Sequence, residues 1–274
     1  MNSRLLVFTL FLALTAVSCN HGLNKVLKST DYEYKYKKAI EYYTNKQYKQ
    51  SQMIFEELFP IYKGTPQFED LYYMYATGAY YQKMYPEAEN LFKGFLDMFP
   101  NSTRAEQMEF LEAYTYYLQS PKPQLDQSNT IKAIGMMQTF ISTHPGSPRN
   151  VEAENIIIKC VNKLEVKEME AAKLYFNMGQ YKAAGIAYTT LGNNYPYSEK
   201  ADSYKLSVIK AYYKYAQLSI QEKREERYVK VIAEVNDFQD RFPESKLLKD
   251  AERYLTLSTN NIKQIPKWAD YVGR

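Results

Sequence analysis

The sequence predicts an all-α protein in which helices stack in successive pairs, and three observations support this prediction. Glycine and proline number only 10 and 11 among 274 residues, so little interrupts long helices. Alternating runs rich in Val and Ile, which are typical of strands, are nearly absent. One short motif recurs between the helix-periodic stretches, as expected of a repeat architecture. With 45% hydrophobic and 24% charged residues, the chain is expected to fold rather than stay disordered.

The recurring motif is an aromatic residue or histidine, then proline, then serine two residues later. Its four copies are Phe99-Pro100-Asn101-Ser102, His144-Pro145-Gly146-Ser147, Tyr195-Pro196-Tyr197-Ser198 and Phe242-Pro243-Glu244-Ser245. Proline ends a helix because the residue before it is pushed out of the α region. The serine is then available to cap the next helix.

A second pattern precedes the proline motif and combines one small residue with large residues at helical spacing. Ala88 is followed at helical spacing by Phe92 and Phe95, and Ala184 is followed in the same way by Tyr188 and Leu191. This is the pattern of tetratricopeptide repeats, in which small residues let paired helices approach closely and aromatic side chains fill the seam. The sequence therefore predicts an all-α tetratricopeptide-repeat α-solenoid of about five helix pairs with a C-terminal capping helix.

The repeat pattern also sets the expected boundaries. First helices are predicted near 32–45, 68–83, 103–119, 149–178 and 200–219, second helices near 47–59, 86–99, 128–144, 180–195 and 226–242, and a capping helix near 246–262. The third and fifth turns are expected to be lengthened, the fifth by the charged run around Lys223. The predicted organisation is a signal peptide (1–18), a lipidated tether (19–30), repeats one to three (31–145), repeats four and five with the cap (146–262) and a tail (263–274).

The N-terminus indicates export and lipidation. Its apolar stretch, Leu5 to Val17, is shorter than the roughly 20 residues that span a bilayer, and it fits a secretory signal. The segment Ala16-Val17-Ser18-Cys19 resembles a bacterial lipobox, so Cys19 is the predicted lipidation site. The alternative is an ordinary secretory signal followed by a coincidental cysteine. Asn20 favours attachment to the outer membrane, and the lack of acidic residues after the cysteine favours a body that faces the periplasm.

Catalytic and cofactor motifs are missing from the sequence. It has no Gly-rich phosphate loop, no Cys-x-x-Cys pair and no His-Glu-x-x-His or Gly-x-Ser-x-Gly motif, and its two histidines, His21 and His144, do not suggest a metal site or a triad. Cys160 is expected to be a small buried core residue. The net charge of +4 is interleaved along the chain, which argues against nucleic acid as a partner. We therefore expect a binding protein without catalytic residues, metal or cofactor, and not an enzyme.

The 28 tyrosines divide into two predicted sets. One set fits inward positions and is expected to be mostly core: Tyr42, Tyr75, Tyr114, Tyr175 and Tyr212. The other falls on the concave face of the first helices of repeats one and two, together with one isoleucine and one threonine, and is predicted to bind a peptide: Tyr36, Ile40, Tyr43, Tyr73, Thr77, Tyr80 and Tyr81. Tyrosine offers broad amphipathic contact at interfaces. The alternative is that this second set adds packing between neighbouring helices.

A lipobox followed by about 250 residues of tetratricopeptide-like units is similar to the BamD (ComL/YfiO) family of outer-membrane assembly lipoproteins. The resemblance covers roughly residues 30–245. Its most telling stretch is the fourth unit, which includes Glu170-Ala171-Ala172-Lys173-Leu174-Tyr175-Phe176, Gly179-Gln180-Tyr181-Lys182-Ala183-Ala184 and Tyr195-Pro196-Tyr197-Ser198.

This resemblance implies a non-catalytic scaffold of the β-barrel assembly (Bam) complex in the outer membrane. The N-terminal repeats would receive unfolded outer-membrane protein substrates, and the C-terminal repeats would dock on the periplasmic domains of a BamA-like barrel protein. An arginine used for that docking in enteric members aligns with Ala187 here, so that contact does not carry over. Two alternatives stay open, a periplasmic adaptor for cell division or peptidoglycan coordination and, from the enzymes, a lytic transglycosylase.

Overall fold

The computed structural model describes residues 22–265, which divide into two compact units. Unit 1 comprises residues 22–121 and 125–160, and unit 2 comprises residues 122–124 and 161–265 of the described chain. Residues 22–27 are helical. The helices that follow are α1 (Tyr32–Thr44), α2 (Tyr48–Tyr62), α3 (Phe68–Tyr81), α4 (Tyr85–Met98), α5 (Ala105–Gln119), α6 (Ser128–Thr143), α7 (Asn150–Asn177), α8 (Tyr181–Asn194), α9 (Ala201–Gln217), α10 (Gln221–Arg241) and α11 (Leu248–Lys263).

Within each unit, consecutive helices pack against one another. In unit 1 this holds from α1 through α6, and in unit 2 from α8 through α11. A first helix also touches the helix after its own pair, as in the contacts of α1 with α3 and of α9 with the capping helix α11. No strand occurs in residues 22–265. The predicted all-α, tetratricopeptide-type stacking of helix pairs is confirmed.

The last helix, α11, caps unit 2 as the sequence predicts. It buries Ala251 and Ser258 on the face toward the preceding helices, and it exposes Lys249, Glu252 and Arg253 on the other face. A polar outer face of this kind ends a repeat stack without leaving an apolar surface open.

The fifth repeat departs from the prediction in its turn. Helix α10 begins at Gln221 rather than near 226, so the charged run forms its first two turns and does not lengthen the connection. Arg224 Nε donates to the Ser219 carbonyl at 2.8 Å, and Arg227 bonds to the Ser219 hydroxyl. These bonds hold the three-residue turn, so the charged side chains stabilise the helix start.

The serines of the proline motif do not occupy the N-cap position that the sequence suggested. The N-cap residues of α5, α9 and α11 are Arg104, Lys200 and Leu247, and none makes a side-chain cap bond. Each motif serine lies earlier and accepts from the N–H two residues on, as Ser102 does from Arg104 at 3.0 Å.

The same serines donate to an acidic side chain in the first helix of their own pair. The four pairs are Ser102 with Glu69 (2.6 Å), Ser147 with Glu106 (2.5 Å), Ser198 with Glu165, and Ser245 with Asp202 (2.6 Å). The motif therefore ties the end of each second helix back to its partner while starting the next pair.

The cores lie along the helix pairs. Ala88 and Ala184 are fully buried, which confirms the predicted small residues at the crossings. Cys160 is also fully buried, as expected. Among residues 22–265 no helix has the length and apolar character to span a membrane.

The N-terminal segment is more ordered than the prediction of a tether over residues 19–30 suggests. Residues 22–27 are helical, with Leu23 6% and Val26 2% exposed in the core of the first repeat. The reason is local, since two apolar residues three apart lie on one face of a helix. Cys19 and the signal peptide lie outside the described residues, as does most of the predicted tail, from residue 266 onward.

Candidate functional site

Helices α1 and α3 carry all seven residues predicted to bind a peptide, and a repeat length of 34 residues sets their contacts. The Tyr43 hydroxyl lies 2.8 Å from Thr77 Oγ1, and the Tyr73 hydroxyl lies 3.5 Å from Gln107 Oε1. Both contacts join residues 34 apart on neighbouring first helices. We call the surface formed by Tyr36, Tyr43, Tyr73, Thr77 and Tyr81, together with the flanking rings of Tyr48 and Tyr62, the tyrosine groove.

One end of the tyrosine groove is lined by rings from three helices. Tyr48 stacks on Tyr81 with ring centroids 4.9 Å apart and meets Tyr43 edge-on at 5.5 Å. Thr77 is fully buried and donates to the Tyr73 carbonyl at 2.6 Å, so the Tyr43 hydroxyl must donate to Thr77. Thr77 thus positions Tyr43, while Tyr81, 49% exposed, presents its ring at the surface.

The other end of the tyrosine groove carries an ion pair between Arg104 and Asp70. Tyr36 stacks on Tyr62 at 5.0 Å. The Arg104 guanidinium lies 4.5 Å from the centre of the Tyr73 ring and donates to Asp70 at 2.6 Å. The ion pair is balanced, so this end is polar without a strong net charge.

Tyr80 and Ile40 are placed differently from the other five residues. Tyr80 packs toward the next repeat, with its ring 6.2 Å from Phe92 and 6.5 Å from Tyr114. Ile40 is half-buried on α1. The structure therefore groups Tyr43, Tyr73, Thr77 and Tyr81, puts Tyr36 beside them at the charged end, and joins Tyr80 to a further cluster of rings.

The phenols of the tyrosine groove are neutral donors. Burial raises the pKa of Tyr43 to about 12 and that of Tyr80 to about 12. Burial also raises the pKa of Tyr36, to which the Asp70 charge adds, and the pKa of Tyr81. Ring faces with neutral hydroxyls suit an extended, mainly apolar polypeptide whose carbonyls accept hydrogen bonds. Within residues 22–265 there is no cluster of three or more His, Cys, Asp or Glu side chains able to hold a metal ion.

Several residues that contact the seven or lie beside them were not predicted as part of the site: Tyr48 and Tyr62 on second helices, and Asp70, Arg104, Gln107 and Tyr114 on or at the start of first helices, of which Tyr114 was predicted as core. The repeat length could have indicated three of them. Adding 34 to the positions of Asp70, Tyr73 and Tyr80 gives 104, 107 and 114. The second-helix rings have no such signal. Tyr175, predicted as core, is 45% exposed, whereas Tyr212 is buried as predicted.

The fold is that of a tetratricopeptide-type helical repeat protein, and comparison with known sequences identifies its family. Residues 29–196, more than half of the 274-residue chain, match the family YfiO, described as outer membrane lipoprotein. The chain belongs to this family of outer-membrane lipoproteins. No curated protein is significantly similar in sequence.

Among solved structures, one similar chain is that described as the TPR2AB-domain:pHSP90-complex of yeast Sti1. Its TM-score is 0.38 at 11% sequence identity, and the match covers 83% of this chain and 98% of that one.

Proposed function

We propose that this lipoprotein is a non-catalytic component of the β-barrel assembly complex, held in the outer membrane by acylated Cys19 and facing the periplasm. In this role it recognises unfolded outer-membrane proteins and docks on the periplasmic domains of a BamA-like barrel protein. The observation that carries the proposal is the tyrosine groove of unit 1, which lies inside the family match.

The tyrosine groove supports binding of an extended guest segment. Tyr81 has half of its surface free for contact, and Tyr48 stacked behind it keeps the ring in place. Rigid rings lose little entropy on binding, and their hydroxyls donate to guest carbonyls. The Arg104–Asp70 pair at the other end offers both a cation and an anion to polar groups of the guest.

Docking on a BamA-like partner is proposed for the C-terminal repeats by family resemblance. Ala187, which stands where enteric members use an arginine, is partly buried against the unit 2 core. Docking in this protein must therefore use other side chains.

Peptide binding tests the groove directly. We expect Tyr81→Ala and Tyr73→Ala each to weaken binding of a C-terminal peptide from a barrel protein by about tenfold, since truncating an interface aromatic costs on the order of 1–2 kcal/mol. The matched control is Tyr197→Ala in unit 2, which removes a ring that is 99% exposed. Circular dichroism checks that helicity is unchanged. Equal affinities for all variants would place the peptide site elsewhere.

Two cellular measurements test the complex. Depletion of the protein is expected to lower many barrel proteins together, and a pull-down from solubilised membranes is expected to recover a BamA-like protein. Recovery of division or peptidoglycan proteins without BamA would support the adaptor function instead. An unchanged outer-membrane proteome after depletion would contradict the proposal.

A further inference from the structure

The segment 22–27 is packed onto the first repeat in a defined direction. A Cβ built on Gly22 lies 3.5 Å from the Tyr42 hydroxyl, near the C-terminal end of α1. At the segment's other end the Leu27 carbonyl accepts from Lys35 Nζ at 2.8 Å, near the N-terminal end of α1. The segment therefore runs antiparallel to α1, and its buried leucine and valine fix it there.

Because of this direction, the end of the segment that follows Cys19 in the sequence lies near the C-terminal end of α1. Cys19 precedes Gly22 by three residues in the sequence, and three extended residues span at most about 11 Å. A lipid on Cys19, which is part of the proposed function, would thus emerge beside the C-terminal end of α1. That end carries the turn between the two helices of the first pair.

The turns at this side share an unusual feature. Lys46, between α1 and α2, has φ 59°, and Lys83, between α3 and α4, has φ 61°. The corresponding residue between α7 and α8 in unit 2 is Gly179, with φ 75°. All three turns are closed alike: the next N–H bonds to a carbonyl five residues back, at 2.8 Å for Gln47, 3.0 Å for Met84 and 2.9 Å for Gln180.

Glycine adopts this left-handed conformation without strain, whereas lysine does not. Two of the three turns nevertheless carry a lysine. Strain retained at a surface position points to a role for the side chain that occupies it.

The surface around these two turns is positively charged. Lys46, Lys49 and Lys83 are exposed there, and the lysine ion pairs of unit 1 in the described chain involve other residues: Lys35, Lys37 and Lys38. Of two nearby carboxylates, Glu41 is paired with Lys38 at 2.6 Å, and Glu87 accepts from the neutral Gln52 amide at 2.8 Å and keeps its charge, so the three lysines outnumber it. We call this surface, residues 45–49 and 82–84, the turn edge.

We propose that the turn edge of unit 1 rests on the phospholipid headgroups of the membrane that holds the anchor, with Lys46 and Lys83 against the phosphates. Two independent observations converge on this surface. Gly22, three residues after the proposed lipidation site, packs near the C-terminal end of α1, and no ion pair of the described residues includes Lys46, Lys49 or Lys83. Lysines near an anionic membrane strengthen binding, and a short anchor keeps them within the range of the surface field.

The opposite edge of unit 1 provides an internal reference. It carries the proline motif that ends α4, with Asn101 exposed. Helix α3 has 14 residues and separates the two edges by about 21 Å. Asn45, in the turn edge, is exposed as well, so the two asparagines form a matched pair of labelling sites.

The first test uses the acylated protein in vesicles of phosphatidylethanolamine and phosphatidylglycerol. Asn45→Cys and Asn101→Cys are labelled separately with a small fluorophore, and a nitroxide on the lipid headgroups quenches it at short range. Cys19 is acylated and Cys160 is buried, so the introduced thiol is the reactive one. We expect strong quenching at position 45 and weak quenching at position 101. Equal quenching, or stronger quenching at 101, overturns the proposal.

The second test separates charge from strain in the mature chain carrying Cys19→Ser. The double variant Lys46→Gly with Lys83→Gly is expected to melt at a higher temperature because the strain is relieved. It is also expected to cosediment more weakly with phosphatidylglycerol vesicles, by roughly fivefold per lysine. Lys63→Gly at the opposite edge is the control for lost charge. Unchanged vesicle binding in the double variant overturns the proposal.

Failure of this inference is distinguishable from failure of the proposed function. Binding of the barrel peptide is measured on the same labelled samples. Peptide binding with equal quenching at both sites rejects the turn edge alone. Absence of acyl mass on Cys19 rejects the anchor, and with it both the proposed attachment and the membrane contact.

Discussion

The two units use tyrosine in opposite ways. Unit 2 buries five tyrosines to less than 10% exposure: Tyr188, Tyr204, Tyr212, Tyr213 and Tyr228. Among the described tyrosines of unit 1, Tyr72 alone is less than 10% exposed, and the groove tyrosines stay partly exposed. The fully buried large rings of unit 1 are instead phenylalanines: Phe55, Phe92, Phe95, Phe110 and Phe140.

This difference indicates which tyrosines fold the protein and which are available to bind. A buried phenol needs a hydrogen-bond partner, and unit 2 supplies carboxylates, as Glu165 does for Tyr204 at 2.7 Å. Unit 1 builds its fully buried core mainly from rings without hydroxyls, and its groove tyrosines pack at the border of that core and stay partly exposed. We therefore expect substitutions at tyrosine partners to be costly in unit 2, and groove substitutions in unit 1 to affect binding more than stability.

The largest effect is expected at Glu165, which is 8% exposed and accepts from both Tyr204 and Ser198. Glu165→Ala leaves a buried phenol and a serine hydroxyl without their acceptor, and we expect it to lower the free energy of unfolding by about 3 kcal/mol. Urea denaturation followed by circular dichroism measures the loss.

The matched control for Glu165 is Glu69 in unit 1, which holds the equivalent serine, Ser102, but no buried tyrosine. Glu69→Ala is expected to cost about 1 kcal/mol, the usual value of one hydrogen bond. Equal losses for the two variants would mean that the buried phenol of unit 2 does not depend on its carboxylate, and the contrast between the units would not hold.

A smaller effect is expected where a tyrosine ring packs on a helix glycine. A Cβ on Gly185 would lie 2.7 Å from a ring carbon of the buried Tyr212, whereas one on Gly94 would meet mainly the hydroxyl tip of Tyr72. Moving a ring inside a packed core costs about 1–3 kcal/mol, so Gly185→Ala should destabilise more than Gly94→Ala.

Gly192, in the same helix as Gly185, is the control for this series. A Cβ there meets nothing within 4 Å, and Gly→Ala inside a helix is favourable by about 0.5–1 kcal/mol. Gly192→Ala should therefore raise the melting temperature. A gain in stability for Gly185→Ala as well would show that the Tyr212 ring shifts without cost.

Most of the fold was predictable because the repeat imposes a local rule on each pair. The proline motif ends α4, α6, α8 and α10 within a residue or two of the predicted positions. The start of α10 was not predictable from composition, because the bonds of Arg224 and Arg227 to the preceding turn depend on its folded shape. The motif serines likewise bond to carboxylates 33 to 43 residues away, which local capping rules do not consider.

The candidate site was predictable on first helices and not on second helices. Helical spacing placed Tyr43, Tyr73 and Tyr81 on one face, and the structure brings them together. Tyr48 and Tyr62 belong to α2 and contact the groove residues Tyr81 and Tyr36. The apolar periodicity of α2 indicates only a helix that packs into the core. Whether a ring at a helix start turns inward or toward a neighbouring tyrosine depends on tertiary packing, so the sequence alone does not decide it.

Glu112 in α5 of unit 1 is a partly buried carboxyl group without an ion pair among the described residues. Both units pair a buried lysine with a glutamate at 2.5 Å, Lys205 with Glu234 in unit 2 and Lys35 with Glu57 in unit 1. In unit 1, burial first and then the charge of Glu89 raise the pKa of Glu112 from 4.5 to about 7. A raised carboxyl pKa means that the folded state keeps a proton that the unfolded chain releases, so stability falls as pH rises from 4.5 to about 7.

Glu112→Gln removes that penalty. We expect it to leave stability nearly unchanged at about pH 4.5 and to raise it by about 2 kcal/mol at about pH 8, a value reduced from the full shift because the side chain is only partly buried. Urea denaturation at both pH values, with Glu154→Gln at an exposed position of α7 as control, measures the difference. A constant offset at both pH values would show that Glu112 ionises in the folded state as it does in the unfolded chain, and that unit 1 tolerates charge at its α4–α5 seam as readily as unit 2 does in its ion pair.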